Sequence, residues 1–150
     1  MASGSTEVHV NGEAFSRAPL RLIDEAVRRT LAAEGTGTAE ISVTLLADAE
    51  IRDLSRRYLE RDWPTDVLAF SLGGDEETVG DVYVGFEQAE RQAGELDIPL
   101  EEELARLAIH GTLHVLGHDH PEGPERGDSP MFRLQERLLR ELLEDPTART

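Results

Sequence analysis

The stretch that decides how this chain is interpreted is His110-Gly-Thr-Leu-His-Val-Leu-Gly-His-Asp-His120, which holds four of the five histidines. Residues 101–109 before it contain no Gly or Pro and are rich in strong helix formers. His110 and His114 are therefore predicted to be i and i+4 on one helix face, with Cβ atoms about 5–6 Å apart. Two imidazoles at that separation can share one metal ion. Gly117 can adopt the left-handed conformation that ends a helix, which would let a third histidine return to the same ion.

The third ligand of this site is expected to be His120. Gly117 argues against a continued helix, and the Asp-His-Pro sequence that follows favours a turn, because a residue before proline avoids the helical region. A helix that ran through Gly117 would instead place His118 on the face of the first two histidines. In the favoured arrangement His118 is a neighbour that donates a hydrogen bond, shuttles a proton or faces water. Asp119 either orients a ligand histidine or is an ordinary turn aspartate.

A site made of His110, His114 and His120 leaves one tetrahedral position open, which is typical of catalytic rather than structural zinc. Imidazole also suits nickel, copper and iron. One zinc ion per chain is the expected cofactor, because zinc is widely available and the three ligands include no thiolate or carboxylate. The alternative interpretation is a polar histidine cluster at a helix C-terminus, where cationic histidine is favourable. The three-ligand spacing disfavours that alternative.

The same spacing resembles the metzincin protease signature, His-Glu-x-x-His-x-x-Gly-x-x-His. The three histidines and Gly117 fill the matching places, but Gly111 stands where the protease has its glutamate. That glutamate is the general base that activates the metal-bound water. Because glycine cannot take a proton, the sequence keeps the metal geometry and lacks the protease base.

The composition indicates one acidic, cysteine-free domain spanning residues 1–150. No apolar run approaches the length of a membrane span, and the N-terminus lacks the basic and apolar regions of a signal peptide. A cytoplasmic protein with no membrane partner is therefore expected. The formal net charge is −16, from 31 acidic and 15 basic residues, and every basic residue is arginine. The excess of acidic residues disfavours nonspecific, charge-driven binding to nucleic acid. It does not exclude a local basic groove.

The order of the predicted elements favours an α+β fold: one small mixed sheet of about four strands, with helices packed mainly on one face and the metal-binding helix near the C-terminus. Residues 144–150 are expected to be a frayed tail. The second helix is expected to bury Ile51, Leu54 and Tyr58. Strands are predicted at 7–11, 40–46, 67–72 and 79–84, and helices at 20–34, 49–59, 86–96, 99–116 and 132–143.

Three segments agree in order and spacing with one known family. His110–His120 matches the family form His-Gly-x-Leu-His-Leu-x-Gly-Tyr/His-Asp-His. Pro64-Thr-Asp-Val-Leu-Ala-Phe70 is close to its Pro-Thr-Asp-Val-Leu-Ser-Phe. Gly80-Asp-Val-Tyr-Val84, followed by Ala89-Glu-Arg-Gln-Ala93, is similar to its Gly-Asp-Ile-x-Ile and the helix downstream. The chain thereby resembles the YbeY family, bacterial metal-dependent endoribonucleases of ribosomal RNA maturation.

The resemblance implies an α+β fold and a metal held by His110, His114 and His120. It also implies cleavage of single-stranded RNA in ribosomal RNA maturation and ribosome quality control, with the ribosomal subunit and assembly proteins as partners. The general base is unassigned, with His118 and Asp119 as candidates. Two other functions stay open: a metzincin-like metalloprotease or amide hydrolase with a base from outside the motif, and a non-enzymatic ribosome-assembly factor whose metal only stiffens the fold.

One departure from the family concerns the grip on phosphate. Many members carry an arginine one residue after the tyrosine that aligns with Tyr58, where this chain has Leu59. If that arginine binds phosphate in those members, the nearby Arg56, Arg57 and Arg61 are the candidates to replace it here. Their alternative interpretation is a solvated helix face paired with acidic residues of the same segment.

Overall fold

The computed structural model describes residues 5–73, 77–119 and 129–148, and within these ranges it contains four strands and five helices. The strands are β1 (Thr6–Asn11), β2 (Ala39–Leu46), β3 (Val67–Ser71) and β4 (Thr78–Gly85). The helices are α1 (Leu20–Ala33), α2 (Asp48–Leu59), α3 (Phe86–Leu96), α4 (Leu100–Val115) and α5 (Pro130–Glu144). The predicted α+β class is confirmed. No helix in the described ranges is both long and apolar enough to cross a membrane.

The four strands form one mixed sheet in the order β1-β2-β4-β3. β1, β2 and β4 run parallel, and β3 joins β4 as an antiparallel edge strand. Alternate residues of β2 are buried because successive strand side chains point to opposite faces. One face of the sheet therefore carries the core, and the opposite face, here called the open face, carries the polar side chains of β1 and β2 together with Phe70 and Tyr83.

The core lies between that face of the sheet and helices α1, α4 and α5. α4 is central to it, since it packs against α1, α3, α5, β3 and β4. Its middle is almost entirely buried, which explains why it is apolar on several faces. Leu104 and Leu113 are each 0% exposed, and burial of such a side chain stabilises the fold by roughly 1.5–3 kcal/mol. The two helix histidines thus sit on the most rigidly packed element of the domain.

Two glycines allow α4 to approach the sheet closely. A Cβ atom added at Gly111 would lie 2.4 Å from Cγ1 of Val82, and one added at Gly80 would lie 2.5 Å from Cγ1 of Val115. Val82 is 0% exposed and has no room to retreat. Position 111 therefore faces the sheet, and its glycine sets the distance between helix and sheet.

The apolar face predicted for α2 is wrong at its C-terminal end. Ile51 is fully buried, but Tyr58 is 59% exposed and the second buried position is Ser55. The ring of Tyr58 contacts Phe70 edge-to-face at 5.3 Å between centroids, and Phe70 lies on the sheet face opposite Val82 because its partner in the register is Asp81. The last turn of α2 thus overhangs the open face of the sheet instead of entering the core.

The frayed tail expected from residue 144 is wrong for residues 144–148. α5 includes Glu144, and Ala148 is only 2% exposed. Asp145 accepts hydrogen bonds from the backbone N–H of Thr147 at 2.9 Å and its hydroxyl at 2.7 Å, and it pairs with Arg29 of α1. These contacts, led by the Thr147 backbone, lower the pKa of Asp145 to about 2. The segment after α5 is therefore tied down to α1.

Candidate metal centre

α4 brings the imidazoles of His110 and His114 together on one face. Their Nε2 atoms are 3.0 Å apart, and the rings meet edge-to-face with centroids 4.6 Å apart. His110 is 7% exposed, and His114 is partly buried. Two nitrogens that share a tetrahedral zinc ion at about 2.0–2.1 Å each lie roughly 3.3 Å apart. The observed pair fits such an ion with a shift of only a few tenths of an ångström, so the chemistry of the donors and their spacing suit a metal.

Gln135 of α5 forms a hydrogen bond with His110 on the Nδ1 side of the ring. The ring Nδ1 lies 2.6 Å from Oε1 of Gln135, which is only 4% exposed. None of the sequence motifs includes Gln135. The signal was present, because Gln135 is a polar residue in the apolar stripe of α5 between Met131 and Leu138, and a buried polar group needs a hydrogen-bond partner.

α4 ends directly after the second histidine, in a Schellman motif. Gly117 has φ +97°, and its N–H donates to the carbonyl of His114 at 3.0 Å. The N–H of His118 donates to the carbonyl of Leu113, also at 3.0 Å. These are the two bonds that define the motif, and Gly117 stops the helix as predicted. The chain therefore turns away before His118 can continue the helical face.

The two candidates for the general base follow this turn. Nε2 of His118 contacts the carboxylate of Glu34 at the C-terminus of α1. The side chain of Asp119 is exposed. His120, the expected third ligand, lies outside the described residues.

The three arginines proposed to contact substrate lie on α2 and just beyond it. Arg56 and Arg57 both pair with Asp53, at 2.9 and 2.7 Å, and Arg61 lies over the ring of Trp63, 6.0 Å from its centroid. The contacts of Arg56 and Arg57 are those of a solvated helix face. Exposed pairs of this kind are worth only about 0–1 kcal/mol, so exchanging them for a phosphate would cost little.

A second group of potential ligands lies on the open face of the sheet. Ligand atoms of Glu7, His9 and Glu40 all lie within 4.8 Å of one another and could hold a metal ion. His9 faces solvent from β1, with Nε2 3.6 Å from Glu7 and 3.5 Å from Glu40. All three side chains are exposed, a setting in which acidic groups often cluster without an ion. The sequence analysis did not anticipate this cluster, since it depends on the pairing of β1 with β2.

The three sequence motifs meet in one place. β3, from the Pro64–Phe70 motif, pairs with β4, from the Gly80–Val84 motif, and the N–H of Gly85 donates to the carbonyl of Asp66 at 2.9 Å. The histidine motif packs on this pair, because a Cβ at Gly111 would meet both Val82 of β4 and, at 3.2 Å, Cγ2 of Val67 of β3. Residues of all three motifs therefore contribute to the packing of α4 against the sheet.

Comparison with known proteins identifies a family that matches most of the chain. The family model described as "Endoribonuclease YbeY" matches residues 4–143. The chain belongs to the YbeY family. The family resemblance drawn from the three motifs is thus confirmed.

Individual members of the YbeY family match over most of their length. The chain is 44% identical to endoribonuclease YbeY of Aquifex aeolicus over 106 residues, which cover 69% of this chain and 71% of the relative. It is 44% identical to that of Pelotomaculum thermopropionicum over 127 residues, covering 79% and 82%. With that of Syntrophotalea carbinolica it shares 32% identity over 145 residues, covering 92% and 97%. The solution structure of TM1509 from Thermotoga maritima is similar with a TM-score of 0.63 at 28% identity, covering 92% of this chain and 89% of that one.

Proposed function

We propose that this member of the YbeY family is a cytoplasmic, single-strand-specific and metal-dependent endoribonuclease that acts in ribosomal RNA maturation and ribosome quality control. Its substrate is single-stranded ribosomal RNA, and its partners are the ribosomal subunit and assembly proteins. The relatives named endoribonuclease YbeY support the activity. The observation that carries the metal dependence is the pair of Nε2 atoms of His110 and His114, 3.0 Å apart on a buried helix.

His110, His114 and His120 are the residues that would hold one zinc ion. Three Cα–Cα steps lead from Gly117 to His120 and can span up to roughly 10 Å, which is enough for a return towards the helix. When bound, the ion supplies polarisation of a phosphoryl oxygen and activation of water for phosphodiester hydrolysis. The fit rests on the nitrogen donors of His110 and His114, whose spacing of 3.0 Å is within a few tenths of an ångström of that at a shared ion.

The side chains around His110 and His114 supply the other roles in the proposed reaction. Gln135 orients His110, and the Schellman motif turns the chain after His114. His118 is tied through Nε2 to Glu34, which leaves Nδ1 as the nitrogen able to accept or deliver a proton. His118 and Asp119 therefore remain the candidates for the general base. An arginine near the reacting phosphate would offset the charge that develops there.

A metzincin-like protease would have its general base, a glutamate, at position 111, where this chain has glycine. Position 111 faces Val82 and Val67, so a side chain there would enter the sheet. A peptidase would need a carboxylate from another part of the chain. The structural-metal alternative requires metal binding without turnover, which an activity measurement separates from the proposal.

The proposal predicts chelator-sensitive cleavage of single-stranded RNA. Full-length protein loaded with zinc should cut a single-stranded RNA oligonucleotide, leave a matched duplex intact and leave casein intact, because it lacks the protease base. The measurement is product formation on gels for all three substrates, with chelated protein as the control. Strong chelator-sensitive cleavage of casein would favour the protease, and metal binding without any RNA cleavage would favour the assembly factor.

Charge reversal at the three arginines on and just after α2, here called the α2 variants, should weaken RNA cleavage. Arg56→Glu, Arg57→Glu and Arg61→Glu are each expected to slow cleavage while leaving zinc content and the melting temperature unchanged. The effect should shrink as salt rises, since phosphate contacts are ionic, and each lost contact should reduce the salt slope by about one. The measurement is the cleavage rate of each variant as a function of salt.

A matched control for these variants is Arg28→Glu on α1. Arg28 is also an exposed arginine with an i,i+4 partner, Asp24 at 2.6 Å. The Arg28→Glu variant should cleave RNA at the rate of the unmodified chain. Unchanged rates in all three α2 variants would mean that these arginines form only a solvated face and that phosphate is bound elsewhere.

A further inference from the structure

The hydrogen bond between His110 and Gln135 determines which nitrogen of His110 carries the proton. Oε1 of the glutamine amide is only an acceptor. At 2.6 Å from it, Nδ1 of His110 must therefore be the donor. A neutral imidazole has one N–H, so Nε2 carries a lone pair, which faces Nε2 of His114 3.0 Å away.

The orientation of the Gln135 amide is itself set by Glu136. The amide nitrogen Nε2 of Gln135 donates to Oε2 of Glu136 at 3.0 Å. If the amide were turned over, its oxygen would face that carboxylate oxygen, and two acceptors would repel each other. The carboxylate of Glu136 therefore forces Oε1 of Gln135 to face His110.

Glu136 is in turn anchored by Arg106 of α4. The guanidinium binds both carboxylate oxygens, with Nε 2.9 Å from Oε2 and Nη2 3.1 Å from Oε1. Arg106 also donates to the buried Glu103 at 2.6 Å. Burial lowers the pKa of Arg106, but the hydrogen bonds from Glu136 and Glu103 outweigh it and raise the net value. The carboxylate that orients the amide is thus held in a rigid, bidentate pair between α4 and α5.

We propose that Gln135 is a positioning residue that locks His110 in the Nδ1–H tautomer and so keeps the Nε2 lone pair of that histidine available to the metal. Without it, His110 could adopt the Nε2–H tautomer and donate to Nε2 of His114, and Nε2 of His110 would then carry a proton in place of the lone pair that a metal needs. The inference deepens the proposed function, because it assigns the support of one metal ligand. It concerns a residue that touches neither metal nor substrate.

The test uses three full-length variants and zinc alone as the probe. Gln135→Met keeps the length of the side chain and removes the acceptor. Gln135→Glu provides an acceptor for His110 again, although its second oxygen then faces the carboxylate of Glu136, so its affinity is compared with that of Gln135→Met and not with that of the unmodified chain. Gln88→Met makes the same change at a glutamine of α3 that bonds to Gln92 and Arg91 instead of to a histidine. Zinc affinity is measured by competition with a chromophoric chelator, and the tautomer of His110 by long-range ¹H–¹⁵N correlation spectra of the metal-free protein.

Gln135→Met is expected to bind zinc about 10–100-fold more weakly, the usual effect of removing the partner of a ligand histidine. In the metal-free protein its His110 should shift from the Nδ1–H to the Nε2–H tautomer. Gln135→Glu should keep the Nδ1–H tautomer and bind zinc more tightly than Gln135→Met. Gln88→Met should match the unmodified chain in both measurements.

Two results would overturn the inference. One is a Gln135→Met variant that binds zinc within twofold of the unmodified chain and keeps the Nδ1–H tautomer. The other is a weaker Gln135→Met whose tautomer is unchanged and whose affinity is not raised in Gln135→Glu, which would reduce Gln135 to a packing role. If the unmodified chain failed to bind zinc, the proposed function would fall, while the tautomer spectra would still decide the role of Gln135.

Discussion

Alanine at His110, His114 or His120 is expected to abolish high-affinity zinc binding. Removing the hydrogen-bond partner of a ligand histidine lowers metal affinity about 10–100-fold. Removing a ligand itself should therefore lower zinc affinity by more than about 100-fold. The Nε2 pair 3.0 Å apart is the physical reason for the first two residues, and the motif spacing is the reason for His120. The measurement is zinc stoichiometry and affinity of the purified full chain, by chelator competition.

Two matched histidine variants make this prediction specific. His118→Ala should retain zinc, because His118 contacts Glu34 and the helix ends before it. His9→Ala should retain zinc too, although His9 belongs to the exposed cluster with Glu7 and Glu40. Loss of zinc in His118→Ala with retention in His120→Ala would contradict the ligand assignment, and loss in His9→Ala would move the metal to the open face of the sheet.

The second large effect is expected at Gly111. Gly111→Glu should leave the protein unfolded or poorly soluble, because a carboxylate would be forced against the buried Val82. Burial of an unpaired charge costs several kcal/mol, which is comparable to the total stability of roughly 5–15 kcal/mol. Gly111→Ala should be milder: overpacking costs about 1–3 kcal/mol and is partly offset by about 1 kcal/mol of helix propensity. Denaturant unfolding followed by circular dichroism measures both.

Gly94 in α3 offers the control for this substitution. A Cβ added there has no neighbour within 4 Å. Gly94→Ala should therefore gain up to about 1 kcal/mol from helix propensity alone. If Gly111→Ala were as stable as Gly94→Ala, the close approach of α4 to the sheet would not be what excludes a side chain at position 111.

The elements were predictable because each has a strong local pattern, while their arrangement depends on contacts distant in sequence. Alternation along β2 predicts the buried Ile41 and Val43, and Pro and Gly residues predict most boundaries. The insertion of β4 between β2 and β3 has no local signal. Tyr58 was misplaced for the same reason, since its partner is Phe70 of a later strand. The burial of Ala148 likewise depends on the packing of the segment after α5.

The candidate site likewise combines residues that local sequence rules predict with residues that only tertiary packing brings together. His110, His114 and Gly117 follow from i,i+4 geometry and helix termination, both of which are local rules. Gln135 does not, because it meets His110 only through the packing of α5 on α4, 25 residues along the chain. The pairing of His118 with Glu34 spans 84 residues and was equally invisible. Local chemistry thus identified two of the proposed ligands, and tertiary packing supplied the groups that orient them.

The most direct test of the central claim is a zinc titration of metal-free, full-length protein while cleavage of a single-stranded RNA is followed. We expect no cleavage without metal, a rate that rises to a plateau at one zinc per chain, and no cleavage by His114→Ala at any zinc concentration in that range. Metal-free protein that cleaves RNA at the plateau rate would show that the reaction does not need the metal. Zinc-dependent cleavage by His114→Ala equal to that of the unmodified chain would show that His114 is not a ligand of that metal.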